Sequence, residues 1–133
     1  MKRVLVFGTF DEIHPGHMAF FQEALNHGEY IIVVLAQDDT VLKLKNREPV
    51  LAFEERKKAL EALTEVGEVI PGDLQLGVYT MVSEAKPDLI AFGYDQEDLK
   101  EDFERFAHNH QLNIPSVTLS PHNPDVYKSS LLN

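Results

Sequence analysis

The chain has 133 residues, and its 12 Lys and Arg against 22 Asp and Glu give a formal net charge of −10 at pH 7. This length suits one globular domain, which we take as residues 1–133. The charge repels phosphate backbones and anionic membranes, so it argues against a nucleic acid or a membrane as a partner.

The sequence has no Cys, which excludes a disulfide, a thiolate nucleophile and Cys-ligated zinc. Its longest apolar run is far below the ~20 residues of a membrane span. We therefore expect a cytoplasmic protein, in which local cations still allow a small anionic ligand.

Short apolar runs alternate with amphipathic segments, which is the pattern of strands alternating with helices. Buried strands are predicted over Val4–Phe7, Tyr30–Ala36, Val66–Ile70, Leu89–Phe92 and Ile114–Leu119. Helices are predicted from Pro15 to the cap at Gly28, over 53–63, over roughly 78–85, and around Leu99, Phe103 and Phe106. This alternation indicates a Rossmann-like, doubly wound α/β domain with a five-stranded parallel sheet. Ligands of such sheets bind beyond the carboxyl ends of the strands.

The segment that follows the first strand has the composition of a phosphate-binding turn. Gly8 lets a ligand approach the backbone closely, Thr9 offers a hydroxyl, and the free N–H groups at the start of the next helix favour an anion. His14 and His17 share a face if both lie in the first helical turn, so two imidazoles can donate hydrogen bonds to one polyphosphate. Gly16 places no side chain between the two histidines. The sequence therefore predicts a phosphate site here.

The two histidines are also compatible with a metal site or a structural role. A pair of His at this spacing can bind zinc, although no third ligand is indicated nearby. The rings can also cap the helix or pack in the core. Dinucleotide and P-loop sites are excluded, because neither Gly-x-Gly-x-x-Gly nor Gly-Lys-Ser/Thr occurs in the sequence.

Gly8-Thr9-Phe10-Asp11 followed by His14-x-Gly16-His17 resembles the motif of the cytidylyltransferase-like nucleotidyltransferase superfamily, and the resemblance extends over nearly the whole chain. Within it, Gly93-Tyr94-Asp95-Gln96 points to archaeal-type FAD synthases, with glycerol-3-phosphate cytidylyltransferases somewhat further away. Supporting segments are 36–41, 43–49, Glu55-Arg56, 86–90 and Lys128-Ser129-Ser130. Members of the superfamily transfer a nucleotidyl group from a nucleoside triphosphate to an acceptor phosphate and release pyrophosphate.

The resemblance implies roles for particular residues. It assigns the triphosphate to Thr9, His14 and His17, and it places Asp95 near the ribose or base, with Gly93 permitting backbone approach. The implied catalytic residues are His14, His17, Lys43 and Lys45. The implied nucleotide-binding residues are Gly8, Thr9, Phe10, His14, Gly16, His17, Gly93, Asp95, Ser129 and Ser130. The implied substrate-binding residues are Asp11, Asp38, Lys43 and Lys45.

Three cations, Lys43, Lys45 and Arg47, alternate in an otherwise acid-rich chain. In an extended segment residues two apart point the same way, so all three could face one polyanion. A solvated basic face is the alternative.

Two carboxylates, Asp11 and Asp38, follow neighbouring strands of the predicted sheet. Both could therefore reach a common magnesium ion or an acceptor hydroxyl, while capping and turn stabilisation are the alternatives. We expect Arg56 to form a surface ion pair with a Glu one helical turn away.

The function implied by the resemblance is adenylyl transfer from ATP to FMN, giving FAD and pyrophosphate, with Mg²⁺ or another divalent cation. Cytidylyl transfer to glycerol 3-phosphate and adenylyl transfer to phosphopantetheine use the same chemistry and are alternatives. The chain lacks the Arg and Gly that the cytidylyltransferases carry shortly before the residues matching Ser129 and Ser130. A non-catalytic nucleotide-binding module is therefore a further alternative function. The resemblance also implies a homodimer, in which a neighbouring subunit could complete the site.

Overall fold

The computed structural model describes residues 1–120, in which five strands form one parallel sheet in the order β3-β2-β1-β4-β5. The strands are β1 (Arg3–Gly8), β2 (Tyr30–Leu35), β3 (Glu68–Pro71), β4 (Leu89–Phe92) and β5 (Ser116–Thr118). Each coincides with a predicted apolar run, because a strand covered on both faces is apolar at consecutive positions. The predicted five-stranded parallel α/β sheet is confirmed.

Within residues 1–120, five helices connect and cover these strands: α1 (Pro15–Ala24), α2 (Asp38–Lys45), α3 (Phe53–Glu61), α4 (Thr80–Ala85) and α5 (Glu97–Asn109). One apolar core joins one face of the sheet to α1 and α3 through Phe21 and Leu60. A second core joins the other face to α4 and α5 through Val82 and Phe103. Within residues 1–120, none of the helices combines the length and apolar character needed to cross a membrane.

The strand order reverses direction at β1, which has β2 and β3 on one side and β4 and β5 on the other. The register of β1 and β2 extends from Arg3–Tyr30 to Gly8–Leu35, whereas β1 and β4 pair at Val4–Leu89 and Leu5–Ile90. Beyond these pairs, a crevice opens between the carboxyl ends of β1 and β4. Such a reversal point is where open α/β sheets bind their ligands.

The prediction of an extended segment around Lys43 and Lys45 is wrong, because both residues belong to α2. Asp38 and Asp39 lie in the first turn of this helix and the two lysines in its last, which suits the helix dipole, and Asn46 ends it in the left-handed conformation. Residues two apart on a helix do not share a face. The two lysines therefore point to different sides of α2.

Candidate active site

The carboxyl edge of the sheet holds a cavity of about 760 Å³, a volume within the usual range of small-molecule sites. The predicted site residues that line it are Gly8, Thr9, Phe10, Gly16, His17, Lys45, Gly93 and Asp95. These residues come from the ends of β1 and β4, from the start of α1 and from the end of α2. The predicted residues Asp11, His14, Asp38 and Lys43 do not line it. Ser129 and Ser130 lie outside the described residues.

His14 caps the N-terminus of α1, so the expectation of free amides at this helix start is wrong. Its Nδ1 accepts hydrogen bonds from the backbone N–H of Gly16 at 3.1 Å and of His17 at 3.4 Å. An imidazole nitrogen that accepts carries no proton, so the proton of the neutral ring is on Nε2. This Nε2 is buried and has no hydrogen-bond partner among residues 1–120. The ring therefore keeps one unpaired N–H beside His17, although His14 itself does not line the cavity.

His17 is buried and neutral at the wall of the cavity. Its side chain is 4% exposed, its ring stacks on that of His14 with centroids 3.6 Å apart, and its edge meets Phe10. Burial, followed by the neighbouring His14, lowers the pKa of His17 to about 3. Its Nδ1 accepts the backbone N–H of His14 at 3.4 Å, and the ring is also hydrogen-bonded to the backbone of Glu12. His17 therefore forms a fixed, uncharged part of the cavity wall.

Two of the three motif glycines that line the cavity, Gly8 and Gly93, make room for side chains of the chain itself. A Cβ on Gly8 would lie 2.3 Å from Cε2 of Phe10, whose backbone φ is 47° and whose ring is buried. A Cβ on Gly93 would lie 3.1 Å from Oδ1 of Asp95. The space attributed to an approaching ligand at these two glycines is therefore taken by Phe10 and Asp95.

Arg56 is fully buried, which contradicts the predicted surface ion pair. Its guanidinium donates to the carbonyl oxygens of Leu51, Thr9 and Ala36 and to Oδ1 of Asp38 at 2.7–3.0 Å. These acceptors connect the turn after β1, the end of β2 and the start of α2. Arg56 therefore fixes the segments that surround the centre of the cavity.

A signal for the burial of Arg56 is present in the sequence. Arg56 follows Phe53 by three residues and precedes Leu60 by four, so it lies on the apolar face of α3. A cation on such a face indicates a buried hydrogen-bonded role, because a buried charge requires partners.

The carboxylates of Asp11 and Asp38 do not fit the predicted shared magnesium site. Asp11 is 2% exposed, and its two oxygens accept hydrogen bonds from the backbone N–H of Val50 at 2.7 Å and Leu51 at 2.8 Å. Asp38 is paired with Arg56. Over residues 1–120, no three His, Asp or Glu side chains form a group suited to a metal ion. Both aspartates stabilise loops and helices, which is the alternative that the sequence left open.

Polar groups on α2 line the cavity beside His17. Lys45 lines it, and the pKa of its ammonium is lowered, first by partial desolvation and then by the charge of Arg47. Lys43 is exposed and outside it. Thr40, which sequence reasoning missed, is buried at the wall of the cavity, and its hydroxyl has no hydrogen-bond partner within the described part of the chain. Lys45 and Thr40 can therefore contact an anion in the cavity.

Gln96 bridges the crevice between β1 and β4. Its Nε2 donates to the carbonyl oxygen of Phe7 at 3.0 Å, and its Oε1 accepts from the N–H of Gly93 at 2.8 Å. The side-chain amide thus replaces a backbone rung at the point where the two strands have separated. Gln96 was part of a motif in the sequence, but the pattern alone did not indicate this structural role.

A crevice at the strand-order reversal, with a neutral imidazole in its wall and hydroxyl and ammonium donors around it, defines a nucleotide-binding α/β protein. The chain belongs to the cytidylyltransferase-like family, whose model matches residues 5–132. The predicted family and enzyme class are thereby confirmed.

Curated relatives of this chain carry the name FAD synthase. The protein of Pyrococcus horikoshii is 38% identical over 129 residues, which cover 95% of this chain and 82% of the relative. That of Ferroglobus placidus is 44% identical over 96 residues, covering 72% of this chain but 61% of the relative's length. Among solved structures, the lipopolysaccharide core biosynthesis protein of Thermoplasma volcanium is 28% identical, with a TM-score of 0.83 over 92% of this chain and 99% of that one.

Proposed function

We propose that the protein is an FAD synthase that transfers an AMP group from ATP to FMN. The observation that carries this proposal is the cavity at the β1–β4 crevice, which brings Thr9, His17 and Lys45 to one place. The name shared by the curated relatives supports FMN as the acceptor. The volume of about 760 Å³ suits two sizeable substrates better than one small acceptor.

The reaction requires positioning and charge neutralisation rather than a protein nucleophile. A phosphate oxygen of FMN attacks the α-phosphorus of ATP, and the bond from that phosphorus to the oxygen bridging to the β-phosphorus breaks. The electron pair leaves with pyrophosphate. A phosphomonoester has its second pKa near ~6 and is largely ionised at neutral pH, so no general base is needed.

The donors of the cavity face the charge that this reaction develops. Lys45 supplies a positive charge, and the hydroxyl of Thr40, which has no partner within residues 1–120, supplies an O–H. Fixed donors of this kind stabilise the transition state because they need no reorganisation as the charge moves. A divalent cation, which the family resemblance implies, would arrive on the phosphates of ATP, since Mg²⁺ takes much of its coordination from substrate phosphates and water. The carboxylates of Asp11 and Asp38 would not hold this cation, because both already have partners in the chain.

The function is tested by incubating the protein with ATP, Mg²⁺ and one acceptor at a time, and measuring pyrophosphate and the adenylylated product. We expect FAD from FMN, and no comparable release with glycerol 3-phosphate or phosphopantetheine. Release with another acceptor, or with CTP in place of ATP, would reassign the substrates. ATP binding without turnover for any acceptor would identify a non-catalytic binding module. Light scattering of the purified protein tests the homodimer that the family resemblance implies, which should scatter with twice the mass of one chain.

His14→Asn separates capping from phosphate binding. Asn is a good N-cap and preserves the acceptor for the amides of Gly16 and His17, but it removes the buried Nε2–H. We expect the melting temperature to stay close to that of the wild type while kcat falls by about tenfold or more. His108→Ala, at an exposed position outside the cavity, is the control. Unchanged turnover in His14→Asn would limit His14 to capping.

A further inference from the structure

Two exposed leucines line the cavity. For each of them, a second exposed leucine two residues earlier in the chain lies outside the cavity. Leu44, which is 64% exposed, and Leu76, which is 50% exposed, both line the cavity. Leu42 on the same helix is 43% exposed and Leu74 in the same loop is 51% exposed, yet neither lines it. Leu44 and Leu76 therefore present apolar surface to whatever fills this part of the cavity, whereas Leu42 and Leu74 do not.

The cavity that these two leucines line also has an apolar wall with a fixed aromatic ring. Val34 at the end of β2 and Met81 and Val82 of α4 line it together with Tyr79. The hydroxyl of Tyr79 donates to Asp102, and its ring meets Phe103 edge-on with centroids 5.3 Å apart. Burial and this hydrogen bond raise the pKa of Tyr79, so the phenol stays protonated and its orientation is held. A rigid apolar wall of this kind suits a flat heterocycle.

Part of this wall lies away from Gly93 and Asp95, the residues that the family resemblance assigns to the nucleotide. Val34 and Leu76 belong to the side of β2 and β3, while Gly93 and Asp95 follow β4 on the opposite side of β1. Thr9, after β1, lies between them in the strand order. A molecule with a phosphate near Thr9 and a large planar ring toward Leu76 would fill the β2–β3 part and leave the β4 part for ATP.

We propose that this apolar part of the cavity binds the isoalloxazine ring of the acceptor, and that Leu44 and Leu76 cover the ring. The proposal rests on the proposed function and adds the residues that select a flavin over a small acceptor phosphate. The ring removes the exposed leucine surface from water, and this gain is not available to an acceptor without a large apolar group. The same leucines contribute nothing to the binding of ATP on the β4 side.

The test measures flavin affinity separately from catalysis. Riboflavin and FMN are titrated into the wild type and into Leu44→Ser and Leu76→Ser, and flavin fluorescence reports binding. Each substitution should weaken both flavins by about tenfold and leave the dissociation constant of ATP, measured by calorimetry, unchanged. Leu42→Ser and Leu74→Ser are matched controls, since each removes an exposed leucine of the same segment outside the cavity, and they should bind flavin like the wild type.

The outcomes distinguish failure of the ring site from failure of the function. FAD formation by the wild type with wild-type flavin affinity in both cavity variants would overturn the ring site and leave the function intact. Equal losses in cavity and control variants would also overturn it, because the effect would then come from the fold. Leucine-dependent riboflavin binding without FAD formation would support the ring site and refute the proposed reaction. No binding of either flavin to the wild type would refute both.

Discussion

Replacing the buried Arg56 by Met removes the group that ties the centre of the cavity together. Met has a similar length and is apolar, so it fills the space without donating a hydrogen bond. The carbonyl oxygens of Thr9, Ala36 and Leu51 then lose the guanidinium donor, and Asp38 loses its ion-pair partner. Lys58→Met, at an exposed position of the same helix, is the control for the loss of a charge.

The expected cost follows from the number and burial of these acceptors. A buried acceptor left without its partner costs about 1–3 kcal/mol, and breaking a buried charged network costs about 3–5 kcal/mol. The side chain of Asp38 is 47% exposed, so water recovers part of its solvation and the carbonyls carry most of the penalty. We therefore expect a loss of about 4 kcal/mol, which is a large fraction of the 5–15 kcal/mol typical of a domain.

Urea denaturation followed by circular dichroism measures this loss. With a dependence on denaturant of about 2 kcal/mol per molar urea, the midpoint of Arg56→Met should fall by about 2 M. The urea midpoint of Arg56→Lys should lie between those of the wild type and Arg56→Met, because one ammonium retains the charge but cannot reach all the acceptors. If Arg56→Met unfolds at the same urea concentration as Lys58→Met, the reasoning about Arg56 is refuted.

The remaining predictions concern His17, Gly8 and Gln96. The folded-state pKa of His17, about 3, lies below the unfolded value of 6.5, so its contribution to stability is complete above pH 6.5 and is lost as the pH falls toward 3. Between pH 7.5 and pH 5 this loss is about 2 kcal/mol; urea unfolding at both pH values should show it in the wild type and not in His17→Asn, and equal pH dependence in the two would contradict it. Gly8→Ala forces the ring of Phe10 to move and should lower the unfolding free energy by about 1–3 kcal/mol, and an unchanged thermal midpoint would show that the ring yields freely. Gln96→Leu leaves the carbonyl of Phe7 and the amide of Gly93 without their side-chain partner, so we expect a loss of about 2 kcal/mol by the same thermal method, with exposed Glu97→Ala as the control.

Features that depend on the period of apolar residues could be predicted from the sequence. The runs at Val4–Phe7 and Leu89–Phe92 gave strands at nearly the right bounds because both faces of a parallel sheet are covered. The short α2 was missed, since its two exposed leucines and two lysines alternate like a strand. Its helical state follows from the charges at its ends and from Asn46.

The site was predicted in composition but not in its internal contacts. Thr9 and His17, which the motif assigns to the triphosphate, both line the cavity, because their location depends on one strand and the turn after it. The capping bond of His14 and the burial of Arg56 depend on side-chain directions and on contacts with distant segments. Pattern alone does not determine such contacts, so they became visible in the structure.

The bridge formed by Gln96 has a consequence for the shape of the crevice. The distance between the ends of β1 and β4 is set there by the length of one side chain, which joins Phe7 to Gly93 across a separation of more than eighty residues in sequence. Shortening that spacer by one methylene in Gln96→Asn would pull the strand ends together or break the bridge. The width of the opening is therefore fixed before any substrate arrives, and a ligand entering it finds a rigid frame on this side.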